Sequence, residues 1–206
     1  MTGQSIGIYG VSNRYVWNII SLAEELGLSS VLVANSPVEH STGPFGAISP
    51  DSLTHHHRSI PFFPGVVRPH SKKYVVKEAE ELGLSFGDSL ISAHAAIGSN
   101  VHLGRANIIR PMTVIDPHCS LGDHVTLSPG VTIGHHVTVG AFSHLANGVT
   151  ISGDVQVGKE AFVGVGALIR DGVSIGDNAI IGMGAVVVKD VPAHATVIGN
   201  PARPKA

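Results

Sequence analysis

The sequence predicts a two-part chain, a small α/β unit followed by a stacked parallel-strand solenoid. Three observations carry that prediction. From Ile97 to Val187 every sixth residue is aliphatic, sixteen times without a miss, through Leu103, Ile109, Ile115, Leu121, Leu127, Ile133, Val139, Leu145, Ile151, Val157, Val163, Ile169, Ile175 and Ile181. A 3.6-residue helix drifts out of that register within a few repeats and a lone strand has period two, so a strict six means stacked coils. Gly follows the aliphatic residue at 98, 104, 122, 134, 140, 158, 164, 176 and 182, which gives those repeats a turn. Four residues after the aliphatic stands something small or β-branched, such as Val101, Thr113, Val125, Ala161 or Ala185, to fill the narrow space between layers.

Residues 1–89 lack this period. Ser5–Tyr9 reads as a buried strand, and Val16–Leu26 as a helix whose Val16, Ile19, Ile20, Ala23 and Leu26 fall at three- and four-residue spacings before Gly27 ends it. Val31–Ala34 is a second strand, which completes a βαβ unit. After a stretch rich in Pro, Gly and His come a third strand, Phe62–Val67, and a second helix, Lys72–Leu82, with Tyr74, Val75, Ala79 and Leu82 facing inward. The turn GVSNRY after the first strand sits where a phosphate cradle forms at a helix N-terminus. It keeps Gly10 but has Asn13, Arg14 and Tyr15 in place of later glycines. The run His55, His56, His57 has no regular spacing to a fourth ligand and reads as a loop, not a metal site.

Thirteen Lys plus Arg against fifteen Asp plus Glu give a net charge of -2 with no basic run, so neither nucleic acid nor an anionic membrane is an expected partner. No apolar stretch has the length of a membrane span and the N-terminus has no secretion-signal pattern, so a cytoplasmic location is expected. The single cysteine, Cys119, excludes an internal disulfide and falls at a small interior position of a repeat, where it reads as core.

The six-residue pattern resembles the hexapeptide-repeat left-handed β-helix, in which three hexapeptides make one triangular coil of eighteen residues. Its hand is implied by that resemblance alone, since parallel crossovers are otherwise right-handed. Sixteen repeats make about five coils. A βαβ unit ahead of such a helix is similar to the sugar O-acyltransferase family, which includes sialic acid O-acetyltransferases and N-acetyltransferases of nucleotide-linked 4-amino sugars. The segment SPGVTIGHHVTVGAFSHLANGVTISGDVQVGKEAFVGVGALI carries the resemblance most specifically, and the tail VPAHATVIGNPARP is similar to the closing segment of many acetyl-CoA-dependent hexapeptide enzymes.

The resemblance implies an acetyl-CoA-dependent acetyltransferase acting on an amino or hydroxyl group of a sugar, with no metal. Residues 1–89 would bind the acceptor, and residues 90–206 would bind acetyl-CoA and hold the chemistry. It makes His135 the general base, His144 an acetyl-CoA contact, and Gly153, Val165 and Met183 further acetyl-CoA contacts, mostly through backbone. A neutral imidazole is the side chain suited to proton removal near pH 7, which agrees with the role given to His135. Ser12, Asn13, Arg14 and Asn35 are candidate acceptor contacts. Three positions depart from the family pattern: Ser128 replaces an Asn seven residues before the base, Asn35 and Ser36 replace an acidic pair, and His136 replaces an acidic residue that follows the base in many members. Stacked one coil above His118, His136 has no evident orienting role, and ordinary uridine or thymidine diphosphate sugars are expected to bind weakly.

Counting by eighteen adds two expectations. One coil on from His135 is Gly153, so a side-chain slot beside the base is expected to be empty and open to a thin pantetheine arm. His135 and His144 are nine residues apart, half a coil, and belong on different sides of the prism. If both serve one site, two chains must build it, which implies a homotrimer. Competing readings are a metal-dependent hydratase of the carbonic anhydrase type, which needs ligands five residues apart where no two histidines here are so spaced, a non-catalytic scaffold that lost its chemistry, and serine or xenobiotic acetyltransferases, which lack the front unit.

Overall fold

The structure, a computed structural model, describes residues 4–10, 15–34 and 47–205, and every structural statement concerns these. The chain divides between Leu90 and Ile91 into two compact units. In the first, β1 (Ser5–Tyr9), α1 (Val16–Glu25), β2 (Ser29–Val33), α2 (His55–Ser59), β3 (Phe62–Pro64) and α3 (Pro69–Glu81) follow in order. The strands form a parallel sheet of order β2-β1-β3. Helix α1 buries Val16, Ile19, Ile20 and Ala23 as its spacing predicts and Leu22 besides, while Leu26 just past its end is half-buried. Gly27 and Gly83 end α1 and α3 at φ 71° and 74°, and in each case the next amide reaches back to the carbonyl five residues earlier, Leu28 to Ala23 and Leu84 to Ala79.

The structure changes four expectations in this unit. β3 stops at Pro64, short of Val67, although the amide of Gly65 still donates to the carbonyl of Tyr9 at 2.7 Å. Helix α3 starts at Pro69, whose fixed φ and missing N–H suit a first turn, so Lys72 lies inside the helix and is fully buried. Tyr74, expected to face inward, is exposed, and Val76 takes the inward face beside Val75 and Ala79. The histidine run is a short helix, not a loop: Thr54 accepts from the amide of His57 at 3.3 Å while His57 Nδ1 accepts from the amide of Thr54 at 3.1 Å, a reciprocal cap.

The second unit is a parallel β-helix with three faces. The first face stacks Leu90–Ile91, Ile108–Ile109, Thr126–Leu127, His144–Leu145, Phe162–Val163 and Ile180–Ile181, and ends in Thr196–Ile198. The second runs from Ala96–Ile97 through Thr132–Ile133 and Thr150–Ile151 to Val186–Val187, and the third from His102–Leu103 through Thr138–Val139 to Ser174–Ile175. Partners in each ladder are eighteen residues apart, Thr132 beside Thr150 and Val139 beside Val157. From Ile109 onward the sixth-residue aliphatics point inward and form one buried column with the small residues four positions on. The solenoid is longer than the sixteen repeats: it begins at Leu90 and continues past Val187 through a shortened turn, where Val191 stands beside Ile175 and Val197 beside Ile181. Arg203–Pro204 folds back antiparallel on Thr196–Ile198.

Two sequence features acquire a physical cause. Where glycine follows the aliphatic it permits close approach and is not the site of the left-handed backbone: a Cβ on Gly134 would lie 2.8 Å from the amide nitrogen of Gly153 in the next coil. Positive φ falls two residues further on, at every sixth position from Asn100 to Gly184, and ten of these residues are not glycine. Three polar interior positions are satisfied within the ladder. Asn107 donates to the carbonyl of Gly104 and accepts from the amide of Val125, Ser143 bridges the carbonyl of Gly158 and the amide of Ala161, and the Cys119 thiol donates to the carbonyl of Gly134. Cys119 is core as predicted, and burial pushes its thiol above the ordinary value.

Candidate active site

His135 and His136 occupy the corner between the second and third faces, after the strand Thr132–Ile133. His136 has φ 56° and belongs to a corner column with His118 and Asp154, at φ 64° and 59°. Its ring stacks on His118, with centroids 5.0 Å apart and planes 12° apart, whereas the His135 ring stands at 81° to it. That arrangement brings the two Nδ1 atoms to 3.1 Å. One coil on, the amide of Asp154 donates to the carbonyl of His135 at 2.9 Å, and the Asp154 carboxylate comes to 3.9 Å from His135 Nδ1. The side chains of His135 and Asp154 are both more than half exposed, at 58% and 67%.

The slot at Gly153 is not empty. The His135 imidazole lies over it, so a Cβ there would be 2.5 Å from Cε1 and 2.7 Å from Nε2. Glycine at 153 seats the imidazole, which corrects the expectation of a free groove for the pantetheine arm. His136 also differs from its sequence reading, since it hydrogen-bonds His135 as well as stacking on His118. Only one of two facing ring nitrogens can carry the shared proton. With it on His135 Nδ1, His136 accepts, and the lone pair of His135 Nε2 is left free as a base. The ligand atoms of His135, His136 and Asp154 lie within 4.8 Å of one another, close enough to hold a cation. A hydrogen bond between the two imidazoles and wide solvent access suit proton transfer better than a closed cage.

The remaining solenoid candidates lie elsewhere on the prism. His144 is on the first face, 4% exposed, its ring stacked on Phe162 at 5.3 Å. Ser128 follows the strand Thr126–Leu127 on that face and is buried. Val165 and Met183 lie at the corner between the first and second faces, one coil apart, and are exposed at 53% and 80%, unusual for apolar side chains. The structure therefore places His135 and His136 at one corner and sets Ser128, His144, Val165 and Met183 on the opposite face and its adjoining corner. Ser12, Asn13, Arg14 and Asn35 lie outside the described residues. Sequence reasoning missed Asp154, although the count by eighteen that singled out Gly153 reaches Asp154 from His136.

No curated protein sequence matches the chain. Two families of repeats do: "Bacterial transferase hexapeptide (six repeats)" over residues 118–153, and "Hexapeptide repeat of succinyl-transferase" over residues 154–189. Among solved structures, the acetyltransferase domain of PglB from Neisseria gonorrhoeae FA1090 matches at a TM-score of 0.86 and 25% identity, covering 98% of this chain and 100% of that one. The same domain in complex with acetyl coenzyme A matches at 0.87 and 25% identity, covering 98% and 100%. Perosamine N-acetyltransferase from Caulobacter crescentus, a mutant form in complex with CoA and GDP-perosamine, matches at 0.88 and 24% identity, covering 100% and 98%. Residues 118–189 match transferase-type hexapeptide repeats, and the whole-chain likeness to the PglB domain supports an acyltransferase. Over nearly its whole length the chain has the fold of these acetyltransferases. Among the described residues no helix is long and apolar enough to cross a membrane.

Proposed function

We propose that this chain transfers acetyl from acetyl-CoA to a nitrogen or oxygen atom of a sugar, with His135 as general base. The carrying observation is the histidine pair: a hydrogen bond at Nδ1 leaves Nε2 of an exposed imidazole free for an acceptor. The neighbours support the partners, since one is solved with acetyl coenzyme A and another, an N-acetyltransferase, with GDP-perosamine. A sugar amine is the acceptor we favour. The amine nitrogen attacks the thioester carbonyl while its proton passes to Nε2, a backbone N–H or water stabilises the tetrahedral oxyanion, and collapse breaks the C–S bond. The His135 proton then returns to the leaving thiolate, which gives free CoA and the acetamido sugar. No acyl-enzyme forms.

Residues 1–89 hold the acceptor in this reading, through Ser12, Asn13, Arg14 and Asn35, and Ser128 approaches it. His144, Val165 and Met183 hold acetyl-CoA. Because His135 and that second group lie on opposite sides of one prism, a complete site needs two chains, and a cyclic homotrimer supplies three such sites. The decisive experiment measures thiol release from acetyl-CoA against a panel of nucleotide-linked and free amino sugars. Acceptor-dependent release is expected, and it falls about 10²–10⁴-fold in His135→Ala with acetyl-CoA affinity kept. Release that never depends on an acceptor would favour a binding scaffold, and a His135→Ala variant with more than half the wild-type rate would place the base elsewhere.

A further inference from the structure

We infer that Asp154, one coil beyond the histidine pair, is the charged partner of His135, a positioning residue that keeps the imidazole proton on Nδ1 and balances the charge the ring gains when it takes a proton. The inference rests on the reading of His135 as the base and adds the source of negative charge that His136 cannot supply. The His136 imidazole accepts a hydrogen bond from His135 but, when neutral, brings no charge.

Three features aim Asp154 at this task. Its amide is tied to the carbonyl of His135 at 2.9 Å by the coil-to-coil ladder, so backbone and base keep a fixed offset. Its φ of 59° places it in the same corner column as His136. Gly153, beside it, has no side chain to stand between the carboxylate and the ring that lies over it. The carboxylate oxygen is then 3.9 Å from His135 Nδ1, near enough for charge attraction and too far for a direct hydrogen bond, which goes to His136 at 3.1 Å. His118 is the next titratable group in the stack and touches His136.

During transfer the acceptor proton moves to Nε2 as the C–N bond forms, and it leaves for the thiolate as the C–S bond breaks. The Nδ1 proton stays between His135 and His136, and Asp154 stays ionised. A carboxylate about 4 Å from the developing imidazolium is worth roughly fivefold in bulk water, the value expected for this exposed pair.

Asp154→Asn keeps the shape and removes the charge. We expect kcat to fall about fivefold, with the KM of both substrates within twofold and the unfolding temperature unchanged. Adding His136→Glu to Asp154→Asn returns a carboxylate beside the ring and restores most of the loss. Ring-nitrogen NMR of the ¹⁵N-labelled full chain supplies a readout free of turnover: neutral His135 carries its proton on Nδ1 in the wild type and becomes a mixture of tautomers in Asp154→Asn. An unchanged kcat together with an unchanged tautomer overturns the inference. So does a loss of kcat that comes with a lower unfolding temperature and resists His136→Glu, because Asp154 would then be a structural residue. If His135→Ala keeps the wild-type rate, the base assignment fails separately, and the tautomer still decides what Asp154 does.

Discussion

The Gly153 backbone is the floor on which the His135 imidazole rests: a Cβ at 153 would come to 2.5 Å of Cε1 and 3.0 Å of Nδ1. We expect Gly153→Ala to lift the ring from its hydrogen bond to His136. Turnover should drop by one to two orders of magnitude, since displacements near 1 Å cost about a hundredfold. The unfolding temperature should stay within a few degrees because the ring that the methyl displaces is itself more than half exposed. Steady-state kinetics with calorimetry checks both. Wild-type kcat in this variant would mean that the ring pose is immaterial.

Asn107 is a core residue with no exposure, bonded on one side to the carbonyl of Gly104 and on the other to the amide of Val125 one coil away. Asn107→Ala strips both partners in a dry interior and should cost about 2–3 kcal/mol. Ser143→Ala, at the same position six repeats on, should cost a similar amount for the same reason. Denaturant unfolding would measure each, and a change under about 0.5 kcal/mol would mean that water replaces the lost groups.

Burial pushes the Lys72 ammonium down to about 7 from an ordinary value of 10.5. Between those values the unfolded chain holds a proton that the folded one lacks, so stability rises with pH across that window, by at most about 1.4 kcal/mol per pH unit. Below the folded value both states are protonated and the penalty is complete. Lys72→Met removes this contribution, so the variant should exceed the wild type most at pH 6.5 and least near pH 10. Urea midpoints at four pH values would show it; parallel curves would contradict it.

The opposite placement of His135 and His144 predicts complementation. Chains carrying His135→Ala, mixed with chains disabled at His144, should regain activity after subunit exchange under mild denaturant, because some junctions then pair a sound base with a sound acetyl-CoA contact. Light scattering should give three chains per particle. A monomer, or mixtures no more active than either parent, would leave each chain to build its own site.

The solenoid was legible because its period is enforced at every coil: an aliphatic residue missing from the column of Ile133 and Ile151 would leave a cavity. The left-handed corners were not, since positive φ at residues as different as Ala106, Met112 and Phe142 is imposed by stacking and has no local signature. In the front unit the helix at His55–Ser59 escaped because its cap uses a histidine ring nitrogen where glutamate or glutamine is the recognisable choice. His135 was found through its surroundings in sequence. Its contacts with Gly153 and Asp154 cross coils, so only counting by eighteen brings them near.

That same count sets the grammar by which this protein can change length. Removing eighteen residues between two corners deletes one storey and leaves every later residue on its face, whereas removing six turns the whole remainder by one face. Such a cut ahead of His135 would carry His135, Gly153 and Asp154 together to a different corner of the prism, intact as a group. The shortened turn beyond Val187, where Val191 pairs with Ile175 sixteen residues back, marks the end of the strict register and lies past the last of these groups. Storeys are interchangeable parts here, and the address of the histidine pair is written in multiples of eighteen.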